Sequence, residues 1–158
     1  MAGSNTYKGK FMPENREKYK GSIDKITYRS SWELFIMKWC DRNTHVVKWN
    51  SEEVVIPYFC NAEGKRRRYF MDFWVRFDNG QEFLFEVKPH KETQPPVKPS
   101  RMTLKAKERF MRELYTYSVN TDKWKAAQKV CEKHHNMHFR VITEHTLKSV
   151  FGWRGGDR

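Results

Sequence analysis

The sequence predicts an α/β domain in which a central mixed sheet is flanked by helices. Three observations carry this. Tyr69–Phe77 and Glu82–Lys88 read as strands joined by the turn-forming run Asp78-Asn79-Gly80. An amphipathic helix precedes them, with Trp32, Phe35, Ile36, Trp39 and Cys40 at helical spacing. Further helical patterns and a short apolar strand follow, so the order is helix, strands, helix, strand.

At 158 residues the chain is one domain, long enough for a substantial core. It carries 31 Lys and Arg against 19 Asp and Glu, a formal net charge of +12. That excess favours a polyanionic partner, nucleic acid above all, because each neutralised phosphate releases condensed counterions. No apolar run approaches the ~18 residues of a transmembrane helix, and no signal-peptide core is seen, so neither a membrane partner nor secretion is expected. Cys40, Cys60 and Cys131 are widely spaced with no C-x-x-C, which suggests neither a disulfide framework nor a zinc site.

Residues 1–20 are polar and Lys-rich, interrupted by Gly3, Gly9 and Pro13, and read as an irregular or mobile basic arm. Its Tyr7, Phe11 and Tyr19 among lysines fit either nucleic-acid contact or a solvated tail. Residues 21–151 read as the folded domain and 152–158 as a tail. Ser30 or Ser31 caps the first helix, and Ser30-Ser31-Trp32-Glu33 has the form of a capping box. Val46–Trp49 and Glu53–Tyr58 read as strands, with Pro57 marking an edge or an end. Asn61–Arg68 reads as a loop whose Lys65, Arg66, Arg67 and Arg68 are suited to the DNA backbone.

Beyond Lys88, Pro89, Pro95, Pro96 and Pro99 make residues 89–100 a semi-rigid connector. Arg101–Tyr117 follows as a basic amphipathic helix, with Leu104, Phe110, Met111, Leu114 and Tyr115 as inner positions and Lys105, Lys107, Arg109 and Arg112 exposed. Asn120 or Thr121 then caps a further helix, Asp122–His134, with Trp124, Ala127, Val130 and Cys131 inward and Lys125, Gln128 and Lys129 on a shared side. The histidines His134, His135 and His138 read as a solvated helix end. Phe139–Ile142 is the last strand, and Glu144–Phe151 a short helix capped by Thr143.

Side chains alternate along a strand. Phe83, Phe85 and Val87 therefore share one face, and Glu82, Glu86 and Lys88 the other. Asp72 faces away from Met71, Phe73 and Val75. If the two strands pair, Asp72 and Glu86 converge with Lys88 beside them, and a divalent cation relieves their repulsion.

Asp72 followed by Glu86-Val87-Lys88 resembles the PD-(D/E)xK signature of the restriction-endonuclease-like nucleases, with Met71 where that signature has proline. Arg29-Ser30-Ser31-Trp32-Glu33 is similar to the R-S-x-x-E pattern of the subgroup that includes transposon end-cleaving nucleases. The element order matches the superfamily's αβββαβ core. The runs 6–21, 28–41, 51–60, 67–77 and 85–89 resemble the family of head-completion nucleases of T-even-type tailed phages.

This resemblance implies a Mg²⁺-dependent enzyme, with Mn²⁺ as a possible substitute, that hydrolyses phosphodiester bonds of double-stranded DNA at packaged ends. Phage head and neck proteins are the implied partners, and the virion head or the host cytoplasm during assembly the implied location. Asp72, Glu86 and the Val87 carbonyl would bind metal, with Glu33 on a second ion or a coordinated water. Lys88 would position the attacking water. Lys105, Arg109, Lys125, Gln128 and Lys129 are further candidates for DNA contact, Gln128 by analogy with superfamily members that orient the scissile phosphate from this helix. Two readings compete: a DNA-end-binding module that has lost catalysis, and a structural virion protein of the head or neck.

Overall fold

The computed structural model describes residues 8–155. Gly9–Lys10 (β1) pairs antiparallel with Thr27–Tyr28 (β2), ahead of helix α1, Ser31–Arg42. Five strands follow: β3 (Val46–Ser51), β4 (Val55–Cys60), β5 (Lys65–Phe70), β6 (Phe73–Phe77) and β7 (Glu82–Val87). Helix α2 (Leu104–Glu132), strand β8 (Met137–Ile142) and helix α3 (Glu144–Ser149) complete the order.

The main sheet runs β3-β6-β7-β8 and is antiparallel except for the parallel β7–β8 pair. A long crossover is what parallel pairing requires, and α2 supplies it. β4 and β5 form a separate antiparallel ribbon. The architecture is therefore the expected mixed α/β fold with helices against a central mixed sheet.

Strand parity divides the core in two. Trp49, Phe73, Val75, Phe85 and Val87 pack with Trp32, Ile36, Met37 and Cys40 of α1. Trp74 and Leu84, on the opposite parity, pack with Ala127 and Cys131 of α2 and with Ile56, Tyr58 and Tyr69 of the ribbon. The β6–β7 turn closes as expected, with Gly80 at φ +85° and the Phe77 amide donating to the Gln81 carbonyl at 2.9 Å.

Several elements differ from expectation. The strand read as Tyr69–Phe77 breaks at Met71-Asp72. The Asp72 carboxylate accepts the Val87 amide there, in place of a ladder bond. Tyr69 and Met71 consequently join the α2-side cluster, and Phe73 and Val75 turn to α1. Lys65–Arg68 belong to a strand and not to the loop, because pairing with β4 continues out to Cys60↔Lys65. The turn is only residues 61–64, with Gly64 at φ +65°.

The two helices expected over 101–134 are one. Thr103 caps it, accepting the Ala106 amide at 3.1 Å, and the Thr121 hydroxyl back-bonds to the Tyr117 carbonyl at 2.8 Å. Its N-terminal half extends past the sheet. Leu104, Met111, Leu114 and Tyr115, expected inward, are therefore exposed, and only Phe110 is half-buried. His138 lies in β8, within 2.7 Å of the Gln81 side-chain oxygen.

Residues 8–20, expected as an irregular or mobile arm, are irregular but held. Lys18 Nζ donates to the carbonyls of Cys40, Asp41 and Asn43 at 2.7, 2.9 and 2.8 Å, meeting the unsatisfied end of α1. The buried Asp41 carboxylate accepts the amides of Glu14 and Asn15 at 2.9 and 3.0 Å, and Tyr19 packs edge-on to Trp49. Tyr7 and the rest of residues 1–7, like 156–158, lie outside the described residues. Among the described residues no helix is long and apolar enough to cross a membrane.

Candidate active site

Phe73 pairs in register with Phe85. One step further, where the β6–β7 ladder ends, Asp72 and Glu86 come opposite each other on the parity of Trp74 and Leu84, the α2 side. Glu86 is 6% exposed and Asp72 half-buried. The Val87 amide donates to Asp72 Oδ2 at 2.8 Å, and the Tyr69 hydroxyl donates to Glu86 Oε1. Among the described residues, the second oxygen of each carboxylate makes no hydrogen bond.

Burial is the main force pushing both acids above the ordinary carboxylate range. The charge of Glu86 raises Asp72 further, Glu33 adds to the effect, and the Val87 amide and Lys88 oppose it. For Glu86 the Tyr69 hydrogen bond, Lys88 and Lys123 pull the other way. Two like charges in such a setting are stable only with a proton or a cation between them.

Lys88 is half-buried at the end of β7, and its amide donates to the Ile142 carbonyl at 3.0 Å, continuing the parallel pairing with β8. Glu33 serves the helix start and faces the site at once. Its amide donates to Ser30 Oγ at 3.2 Å, and its Oε1 accepts the Arg29 amide at 3.1 Å, one residue out from a regular capping box. It also lies within electrostatic range of both Asp72 and Glu86.

Four residues at the site were not among the sequence candidates. Tyr69 holds Glu86, and a buried tyrosine hydroxyl generally needs such a partner. Lys123 Nζ sits 5.4 Å from the Tyr69 ring centroid and acts on Glu86. Its signal was present in the sequence, since it falls on the stripe of Ala127 and Val130 at i, i+4 and i+7. Arg29 pairs with Glu52 and feels the charges of Glu33 and Asp72. Glu52 has φ +57°, and its amide reaches the carbonyls of Met71 and Asp72 at 3.1 and 3.3 Å. Strain of that kind gathers at functional sites.

The remaining candidates are not drawn into the acidic cluster. Lys125, Gln128 and Lys129 are exposed and lie off the Lys123 stripe, and Lys105 and Arg109 are exposed on the projecting half of α2. On β5, Lys65 and Arg67 turn toward Glu63 at 3.7 and 2.7 Å, and Arg66 and Arg68 turn to the other face.

Hard carboxylate oxygens in a buried, repelling pair are the donor chemistry of Mg²⁺ or Mn²⁺, and Asp72 and Glu86 fit such an ion. Among the described residues no third Asp, Glu, His or Cys completes a ready-made cage with them. That suits Mg²⁺, which keeps several waters and is commonly held by one or two carboxylates plus phosphate oxygens.

The TnsA-like endonuclease N-terminal family matches residues 43–144, a span that includes Asp72, Glu86 and Lys88 and excludes Glu33. The chain is also 58% identical to the head completion nuclease of Enterobacteria phage T4 over 149 residues, covering 94% of this chain and 98% of that protein. With well over half its length matched and a relative of that identity, this chain belongs to the TnsA-like, restriction-endonuclease-like nucleases.

Proposed function

We propose that this chain is a Mg²⁺-dependent deoxyribonuclease that hydrolyses phosphodiester bonds of double-stranded DNA. The observation that carries the reading is the buried Asp72–Glu86 pair with Lys88 beside it. Asp72, Glu86 and the Val87 carbonyl would hold Mg²⁺, for which Mn²⁺ can substitute, and Glu33 a second ion or a coordinated water. Bound there, the metal lowers the pKa of water and neutralises charge building on the phosphate.

The chain's own groups supply the rest. Lys88 orients the attacking water and stabilises the negative charge gathering on the phosphoryl oxygens. Tyr69 and the Val87 amide each fix one carboxylate oxygen, so neither acid has to reorganise when substrate arrives. Lys65, Arg66, Arg67 and Arg68, with Lys105 and Arg109, supply backbone contacts. Lys125, Gln128 and Lys129 extend that surface along α2, and Lys123 is better placed than they are to meet a phosphate near Glu86.

The head-completion role named for the phage T4 relative supports a finer reading. The substrate is then packaged DNA ends, the partners are head and neck proteins, and the place is the virion head or the host cytoplasm during assembly. The deciding experiment is cleavage of plasmid and linear duplex with Mg²⁺ or Mn²⁺, against EDTA, for wild type and Glu86→Ala. Metal-stimulated cutting that vanishes in the variant is expected. Cutting that survives EDTA or the substitution would overturn the assignment.

A further inference from the structure

The two faces of the β4–β5 ribbon have opposite characters. Register sets Val55 against Phe70, Pro57 against Arg68 and Phe59 against Arg66. Ile56, Tyr58, Cys60 and Tyr69 turn inward to the α2-side core, and alternation sends the other six to the outer face. All six are exposed, Phe59 at 48% and Phe70 at 44%. Aromatic rings on an exposed ribbon are a liability unless something covers them.

Charge identifies the occupant. Glu63 engages Lys65 and Arg67, whereas Arg66 and Arg68 make no ion pair among the described residues. The outer face thus carries two uncompensated guanidinium groups and no acid. The Arg68 guanidinium lies 5.4 Å from the Phe70 ring centroid, extending a flat π surface. Arginines interleaved with exposed rings are how single strands are held, by phosphate contact and by base stacking. A duplex offers only base edges in its grooves, so these rings gain nothing from paired DNA. Position matters as well. Phe70 precedes Asp72 by two residues, at most roughly 7 Å along the chain, so the ribbon ends at the break where Asp72 sits.

We propose that the outer face of the β4–β5 ribbon binds unpaired nucleotides of DNA, with bases stacked on Phe59 and Phe70 and phosphates held by Arg66 and Arg68. It would give the enzyme a preference for ends or junctions that carry a single-stranded segment. That consequence rests on the nuclease reading, but the binding does not require cleavage.

The test is fluorescence anisotropy in EDTA. The probes are a blunt duplex, the same duplex with a single-stranded extension of about ten nucleotides, and that single strand alone. The proteins are wild type, Phe59→Ala/Phe70→Ala, Phe59→Tyr/Phe70→Tyr and Arg66→Ala/Arg68→Ala. Wild type should prefer the extended duplex. The alanine pair should weaken the extended and single-stranded probes about tenfold or more and leave the blunt duplex within about twofold. The tyrosine pair keeps the rings and should keep the preference, which separates stacking from damage to the ribbon. The arginine pair should weaken every probe and flatten the salt dependence.

If the alanine pair binds all three probes as wild type does, the face serves a protein partner and the proposal fails. An equal loss on blunt and extended duplex overturns it too. Metal-dependent cleavage without any extension preference would sink this inference alone, and a ring-dependent extension preference without cleavage would sink the nuclease reading alone.

Discussion

The two faces of the main sheet are built from alternating residues of the same strands, yet they have separate tasks. Toward α1, Trp49, Phe73, Val75, Phe85 and Val87 meet Trp32, Ile36, Met37 and Cys40 in an apolar cluster. Toward α2 the pattern begins the same way, with Trp74 and Leu84 on Ala127 and Cys131, and ends in Asp72 and Glu86. Stability is concentrated on one parity, and the other tolerates two repelling acids at its end. A slip of one residue in register would exchange the two roles, so the apolar face also fixes where the acids point.

The largest effect that would sharpen this contrast is on catalysis. Lys88→Ala and Asp72→Ala should each lower cleavage by about 10³-fold or more, with melting temperature held or slightly lowered in the lysine variant and held or raised in the aspartate variant. Parallel melting and single-turnover cleavage would check both halves, and a lysine variant that cuts normally would remove Lys88 from the mechanism.

On the other face, Met37→Ala should cost about 2–5 kcal/mol, visible as a lower urea midpoint. The folded fraction should still cleave. Were Met37→Ala to abolish cutting at unchanged stability, the division between the faces would be false.

A smaller effect is expected at the boundary. Tyr69→Phe removes the donor to Glu86 Oε1 and should lower Mn²⁺ affinity or kcat by about 10- to 100-fold. Calorimetric titration with Mn²⁺ separates the two, and an unchanged value for both would make Tyr69 a packing residue only.

The smallest effect concerns pH. Asp72 and Glu86 have folded-state pKa values raised above their unfolded ones. Below the ordinary carboxylate range both acids are protonated in either state and cost nothing. As pH rises through that range, the unfolded chain releases protons that the folded chain retains, so stability falls until the folded pair ionises as well. Asp72→Asn/Glu86→Gln should therefore raise the metal-free melting temperature near neutral pH by a few degrees, at about 2–4 °C per kcal/mol. The gap should close toward pH ~3. Added Mg²⁺ should stabilise wild type and not the variant. A gap that is independent of pH would mean that repulsion is not its cause.

Much of this was legible in the sequence because it is local. The Asp78-Asn79-Gly80 turn, the α1 stripe and the alternation around Glu86 need only neighbours along the chain, and together they bring Asp72, Glu86 and Lys88 to one end. What was misread depends on contacts across the fold. The break at Asp72 exists because its carboxylate takes the Val87 amide from the next strand. Asn120 and Thr121 have the chemistry of a cap, but the Thr121 hydroxyl satisfies a carbonyl of its own helix. The basic run 65–68 resembled a solvated loop, although the Tyr58, Cys60 and Tyr69 side chains of the same ribbon are buried. Residues 8–20 are held by Lys18 reaching the end of α1, which no local pattern announces. A lysine on a helix is ordinarily solvated, but Lys123 stands one turn before the buried Ala127.

Lys88 is pinned by the Ile142 carbonyl, and β7 is an interior strand only once β8 has joined it. Asp72, Glu86 and Lys88 precede Ile142 by 70, 56 and 54 residues, an interval of roughly 3–14 s at ordinary rates of translation. During it the acids and the lysine exist without the edge that holds them. The order of the chain therefore works as a delay: on the proposed mechanism, a growing polypeptide has no finished cutting site while it is still short of its last strand.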